Sequence, residues 1–108
     1  KQIKDVPTST LENNKLIAEF MGGKMIVENY YGINIIEFTQ GKTFDLKGLK
    51  YLTSWDWLMP VVERCFTIDL PIDVDNHYFR INDALLTINI SEVYKAVIEF
   101  IKWYNINK

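Results

Sequence analysis

The chain carries one cysteine, one histidine and three prolines in 108 residues. Cys65 has no second cysteine to pair with, which excludes an internal disulfide and leaves too few thiols for a cysteine-rich zinc site. A lone thiol is typical of a protein from a reducing compartment. No apolar run approaches the roughly 18 residues that a membrane span needs, and no signal peptide is evident.

A concentrated basic surface is also absent. Twelve Lys and Arg residues stand against 14 Asp and Glu, which gives a net charge of −2 and a pI near 5.3. The densest group, Lys42, Lys47 and Lys50, is interrupted by Asp45. Because nucleic-acid binding usually depends on a clustered positive patch, this distribution argues against such a partner.

Apolar and aromatic residues are plentiful. Hydrophobic residues make up 48% and aromatic residues 14% of the chain, which is the composition of a folded globular protein. The length predicts one domain over residues 1–108, and polar residues with Pro7 predict a loose leader over residues 1–9. We found no internal repeat and no linker.

The first half of the chain has the pattern of a helix followed by a β-hairpin. Ser9 and Glu12 have capping-box spacing, so a helix is expected from there to Met21, where Gly22-Gly23 ends it. Two β-branched and aromatic runs, residues 24–30 and 33–40, flank Tyr31-Gly32 and predict the hairpin. The run TFDL that follows fits either a short third strand or a loop.

A second helix is expected after Thr53 or Ser54, either of which can cap it. Its predicted buried stripe contains Trp55, Leu58, Val62, Cys65 and Phe66. Pro60 leaves two interpretations. It bends a continuous helix, or residues 54–58 form a separate turn and the regular helix starts near Pro60.

The rest of the chain predicts a loop, a second hairpin and a last helix. Residues 69–76 have loop composition, and HYFRI and ALLTINI around Asn82-Asp83 have the pattern of paired strands. Ser91 is a candidate cap for a helix over residues 91–105, which is apolar around most of its circumference. The predicted order is therefore α-ββ-α-ββ-α, an α+β fold with an antiparallel or mixed small sheet packed by helices.

Few groupings in the sequence suggest catalysis. Asp73, Asp75 and His77 are candidate ligand or metal contacts in one loop, but the loop lacks the glycine and glutamate of a calcium site. Cys65 and His77 are the remaining nucleophile and base, and Cys65 lies on an apolar stripe where cysteine acts as a small hydrophobe. No glycine-rich phosphate loop is present. We predict no catalytic residues and no cofactor.

Aromatic side chains exceed what one small core must contain, and Trp and Tyr are enriched where proteins bind each other. Trp55 begins the buried stripe, whereas Trp57 points roughly 200° around the helix from it. Tyr94 and Trp103 lie off the most apolar line of the last helix. We therefore predict Trp57, Tyr94 and Trp103 as partner-binding residues.

Three segments, NNKLIAEFMGG, SWDWLMPVVERC and VYKAVIEFIKWYN, resemble a family of short uncharacterised proteins from phages, prophages and Bacteroidetes-type genomes. The similarity covers the predicted helices and is most specific at SWDWLMPVVE. It implies a phage or mobile-element protein in the cytoplasm of a bacterial host cell. It carries no catalytic residues.

Two functions are expected from these observations. The first is a non-enzymatic binding or accessory protein that contacts a protein partner or a second copy of itself. The alternative is a small-ligand or nucleotide-binding domain with weak hydrolase activity, which would use Asp73, Asp75 and His77 near an aromatic pocket. Stacking of single-stranded nucleic acid on tyrosines is a third and less favoured expectation.

Overall fold

Four α-helices and a three-stranded antiparallel sheet make up the computed structural model, which describes residues 8–39, 41–68 and 76–107. In chain order the elements are α1 (Thr8–Phe20), β1 (Lys24–Tyr30), β2 (Ile33–Glu37), β3 (Thr43–Asp45), a 3₁₀ helix (Leu46–Gly48), α2 (Trp55–Thr67), α3 (Asn76–Leu86) and α4 (Ile90–Asn107). The α+β class is confirmed.

The chain divides into two compact units, Lys1–Leu49 and Lys50–Lys108. The first contains α1, the sheet and the 3₁₀ helix, and the second contains α2, α3 and α4. The single domain over residues 1–108 stays a prediction.

Helix α1 starts earlier than the capping-box pattern predicts. It begins at Thr8, so Ser9 lies in its first turn and is not the residue that precedes the helix. Ser9 as N-cap is therefore wrong. Residues 1–7 of the predicted leader over residues 1–9 lie outside the described residues, and Thr8 and Ser9 belong to α1.

The end of α1 follows the glycine signal in the sequence. Gly22 has a φ of +97°, its amide donates to the Glu19 carbonyl, and the amide of Gly23 donates to the Ala18 carbonyl. These two bonds form a Schellman motif, which satisfies carbonyls that a helix end otherwise leaves open. A Cβ on Gly23 would lie 2.8 Å from Ile36 Cδ1 and 2.9 Å from the Ala18 carbonyl oxygen, so only glycine fits there.

The sheet has the order β1-β2-β3, and both pairs are antiparallel. Tyr31 and Gly32 connect β1 to β2 with φ values of 49° and 77°, as a tight two-residue hairpin turn requires. The predicted first hairpin is confirmed, although β2 ends at Glu37 and not at residue 40. TFDL supplies β3, so the strand alternative holds for residues 43–45. Ile36 on the central strand is fully buried.

Strand β1 is irregular along its length. Its register with β2 shifts between Met25 and Val27 and again between Val27 and Tyr30. Asn29, in the second irregular stretch, has a φ of 57°, and its amide donates to Asn34 Oδ1 over 2.8 Å. Exposed and half-buried residues alternate along β1 from Lys24 to Glu28, and the alternation is lost at Asn29 and Tyr30, where the second shift lies.

Helix α2 runs through Pro60 without interruption. Ser54 occupies the N-cap position with extended backbone, but its side chain makes no capping hydrogen bond. The helix is therefore continuous, and a separate turn over residues 54–58 is not formed, while the bend at Pro60 stays a prediction. Leu58, Val62 and Cys65 are buried as predicted.

The predicted second hairpin is wrong, because helix α3 occupies most of that segment. Ile81 and Ala84 are buried, with helical spacing, and Asn82-Asp83 lies exposed on the helix and not in a turn. Leu86 and Ile88 are 81% and 82% exposed, so the alternation read as one face of a strand is not a buried face.

A tight turn joins α3 to α4 and supplies the cap of α4. The Thr87 hydroxyl donates to the Ala84 carbonyl and accepts from the Asn89 amide. Asn89 Oδ1 then accepts from both the amide and the hydroxyl of Ser91. Asn89 is therefore the N-cap, and the expectation that Ser91 caps the helix is wrong.

Helix α4 packs against both α2 and α3. Its buried residues are Val93, Tyr94, Val97, Ile98, Phe100 and Ile101. Its exposed charged residues are Glu92, Lys95, Glu99 and Lys102, and Lys95 Nζ lies 3.7 Å from a Glu92 carboxylate oxygen. Its apolar circumference is therefore explained by a central position within the second unit. Among the described helices, none is long and apolar enough to cross a membrane.

Candidate protein-binding surface

The three predicted partner-binding residues are only partly available to a partner. Trp57 is partly exposed, and its ring lies 5.4 Å from that of Tyr51 in an edge-on arrangement. Trp103 is also partly exposed. Tyr94 is 4% exposed, and burial raises the pKa of its hydroxyl to about 12. A side chain buried to that extent offers no contact area, so Tyr94 belongs to the packed interior and not to a binding surface.

Trp103 and His77 belong to an aromatic cluster between α3 and α4. The His77 ring lies 5.4 Å from Trp103 and 6.2 Å from Phe100, and Tyr78 stacks on Phe100 at 6.1 Å. Burial in this cluster lowers the pKa of His77. The nearby Arg80 lowers it further, against a weaker opposing effect of Glu99. The rings pack the two helices together, which is a structural role.

The ligand or metal site of the alternative function is not assembled by the described residues. Asp73 and Asp75 lie outside them, and no group of three His, Cys, Asp or Glu side chains among them could hold a metal ion. Cys65 is fully buried, and burial raises the pKa of its thiol to about 12, so the nucleophilic thiolate is scarce at neutral pH.

A groove between α2 and α3 is a concave feature that the sequence did not indicate. It has a volume of about 390 Å³ and is lined by Met59, Pro60, Val62, Glu63, Phe66 and Leu85. Five of these six side chains are apolar, and the sixth is the carboxylate of Glu63. Met59 is 41% and Phe66 39% exposed, so two large apolar side chains meet solvent at the same concave site.

Helix α2 presents this groove because its two faces differ. Leu58, Val61, Val62 and Cys65 form the buried face. Met59, Glu63 and Phe66 follow at spacings of four and three, which places them together on the flank of the helix next to that face. Phe66 was predicted in the buried stripe, and its exposure corrects that assignment. It follows the buried Cys65 by about 100° around the helix.

Helix α3 carries a second exposed apolar feature next to the groove. Phe79 is 60% and Leu86 81% exposed, and Asn82 and Asp83 between them are exposed as well. We call Phe79, Asn82, Asp83 and Leu86 the α3 ridge. Exposed apolar area beside an apolar groove is a candidate for a protein contact site. The sequence does not indicate this exposed face, because the pattern of the segment predicts two strands.

The first unit has an exposed aromatic pair at the hairpin turn. Tyr30 and Tyr31 are 63% and 87% exposed, and their rings lie 4.5 Å apart. Neither of the two concave sites found among the described residues is lined by this pair, so the α2–α3 groove is the stronger candidate for binding.

Comparison with known proteins adds no assignment. No protein-family model matches the chain, and no curated protein and no solved structure matches it. The resemblance to phage and prophage proteins therefore stays a prediction, and function has to be argued from the groove and the α3 ridge.

Proposed function

We propose that this chain is a non-enzymatic protein-binding domain whose α2–α3 groove receives an amphipathic helix of a protein partner. The groove carries the proposal, because Met59 and Phe66 hold apolar area in contact with water at a concave site. Helix-in-groove recognition uses such a site for apolar anchors spaced at helical intervals on the partner.

The anchors of the partner are defined by the groove itself. Met59 and Phe66 are seven residues apart, which is about 10.5 Å along a helix. A partner helix with two apolar side chains two turns apart matches that distance. Glu63 lies between them, so the partner needs a hydrogen-bond donor or a positive charge at the middle of its apolar face.

The environments of Cys65 and His77, the candidate nucleophile and base, support a binding role over a catalytic one. The thiol of Cys65 is buried, and the half-buried ring of His77 packs against Trp103 and Phe100. Phage or mobile-element origin and a bacterial cytoplasm are part of the same proposal, and they rest on the resemblance alone.

Affinity capture tests the proposal. The tagged chain, a Met59→Asp variant and an Ile106→Asp control are each used to capture proteins from a bacterial lysate after nuclease treatment. Both substitutions replace an exposed apolar side chain by a carboxylate. Ile106 is the control because it lies at the end of α4, is 82% exposed and does not line the groove. Circular dichroism checks that all three chains are folded.

We expect the unaltered chain and the Ile106→Asp control to retain the same protein, and Met59→Asp to retain at least about tenfold less, since a charge replaces an apolar anchor. A second copy of the chain counts as such a protein. If the unaltered chain retains no protein, or if Met59→Asp retains it equally well, the proposal is refuted.

A further inference from the structure

We propose that the helix that fills the α2–α3 groove is helix α3 of a second copy of this chain, so that two copies pair groove to ridge in a closed dimer. This inference rests on the proposed function and names its partner. The chain carries both halves of the contact, an apolar groove on one side and an apolar ridge on the neighbouring helix.

The two halves have the same spacing. Phe79 and Leu86 on the α3 ridge are seven residues apart, and so are Met59 and Phe66 in the groove. Each pair therefore spans about 10.5 Å along its helix. All four side chains are between 39% and 81% exposed, so each has apolar area left to bury.

Charge selects one of the two orientations in which these pairs can meet. In an antiparallel alignment Phe79 meets Phe66, Leu86 meets Met59, and Asn82 then lies opposite Glu63. In a parallel alignment Phe79 meets Met59, Leu86 meets Phe66, and Asp83 lies opposite Glu63. Two carboxylates would repel each other there, whereas the Asn82 amide donates to the Glu63 carboxylate. The antiparallel alignment is therefore the favoured one.

Glu63 is available for this bond. It is exposed and forms no ion pair within residues 8–39, 41–68 and 76–107. Asn82 is exposed on α3. The bond would form twice in a two-fold dimer, once for each groove.

The antiparallel alignment is also compatible with a closed assembly of two copies. Within one copy α2 and α3 run antiparallel, because Phe66 lies beside Tyr78 at one end while Met59 and Leu85 line the groove at the other. A two-fold axis along the helices then places α3 of each copy antiparallel to α2 of the other. The four helices alternate in direction around the axis, as in an up-and-down helix bundle. Each groove is filled once, so the assembly stops at two copies.

Sedimentation equilibrium of the full chain tests the pairing across micromolar to millimolar concentrations. We expect a monomer–dimer equilibrium for the unaltered chain, and a dissociation constant at least about tenfold higher for Asn82→Asp, which puts a carboxylate opposite Glu63. Adding Glu63→Gln to Asn82→Asp exchanges donor and acceptor and should restore most of the affinity. Ile106→Asp should leave it unchanged.

Each result of the sedimentation experiment supports or overturns one part of the proposal. A monomer at every concentration overturns the self-pairing, and the proposed function still stands if Met59→Asp abolishes capture of a different protein. A dimer that Asn82→Asp does not weaken overturns the antiparallel alignment. A dimer that the second substitution fails to restore overturns the contact between Asn82 and Glu63.

Discussion

Replacing Ile88 by glycine should leave the protein more stable than replacing it by alanine. Ile88 follows α3 directly after Thr87 and has a φ of 56°, in the left-handed region that a β-branched residue rarely adopts. Its amide donates to the Leu85 carbonyl, as the residue after a helix C-cap does in a Schellman-type ending. Glycine is the usual residue at this position.

The expected difference follows from two opposing effects. The left-handed conformation costs a residue with a Cβ about 1–2 kcal/mol, and glycine avoids that cost. Glycine loses more backbone freedom on folding, which costs it roughly 0.5–1 kcal/mol. Both substitutions remove the same side chain, which is 82% exposed. Taking the middle of each range, the glycine variant should be more stable than the alanine variant by roughly 0.7 kcal/mol, or roughly 3–6 °C in Tm.

Urea unfolding followed by circular dichroism measures this difference as a shift in midpoint at constant slope. Lys102, exposed on α4, provides the matched control. At a regular helical position alanine is more stable than glycine by about 1 kcal/mol, so the order of the two variants should reverse. If the alanine variant at position 88 is as stable as the glycine variant, or more stable, the left-handed conformation of Ile88 is not a source of strain.

Two further predictions concern the first unit and the aromatic cluster. Gly23→Ala should lower the stability by about 1–3 kcal/mol, because its Cβ would collide with Ile36. Gly48→Ala is the control and should be nearly neutral, since no atom lies within 4 Å of the added Cβ. Equal urea midpoints for the two variants would contradict the close packing at Gly23. The lowered pKa of His77 means that the unfolded chain binds a proton more readily, so stability should fall as pH drops below about 6.5. His77→Phe should reduce this loss below about pH 6.5, and an unchanged pH dependence of the urea midpoint would show that His77 is not its source.

The elements that could be predicted from sequence are those with strong local signals. Gly22-Gly23 predicts the end of α1, because the left-handed residue of a Schellman motif is chosen locally. Tyr31-Gly32 predicts the hairpin turn for the same reason. These signals need no knowledge of distant residues, and the structure confirms them.

Helix α3 could not be predicted as easily, because its local signals compete. Asn82-Asp83 is typical of a turn, and Leu86, Ile88 and Ile90 alternate as strand residues do. The helical spacing of Ile81 and Ala84 becomes decisive only once α4 packs against that face. The pattern of period two at residues 86–90 comes from a helix end, a tight turn and the first residue of the next helix.

The proposed binding surface could not be predicted from the sequence for a related reason. Aromatic content alone favoured Trp57, Tyr94 and Trp103, but composition cannot tell a side chain that fills the interior from one that meets solvent. Tyr94 is in the interior, and the groove depends on Met59 and Phe66, which are exposed because α2 buries its other face. Exposure of this kind is a property of packing between helices, and it is absent from any single stretch of sequence.

The irregular register of β1 has a consequence for aggregation. β1 forms one edge of the three-stranded sheet, and open edges can recruit strands from other molecules into fibrils. Strand addition needs an even ladder of amides and carbonyls, which the two register shifts and the left-handed Asn29 interrupt. The edge at β1 is therefore a poor template for polymerisation through the sheet, and the other edge, β3, is only three residues long.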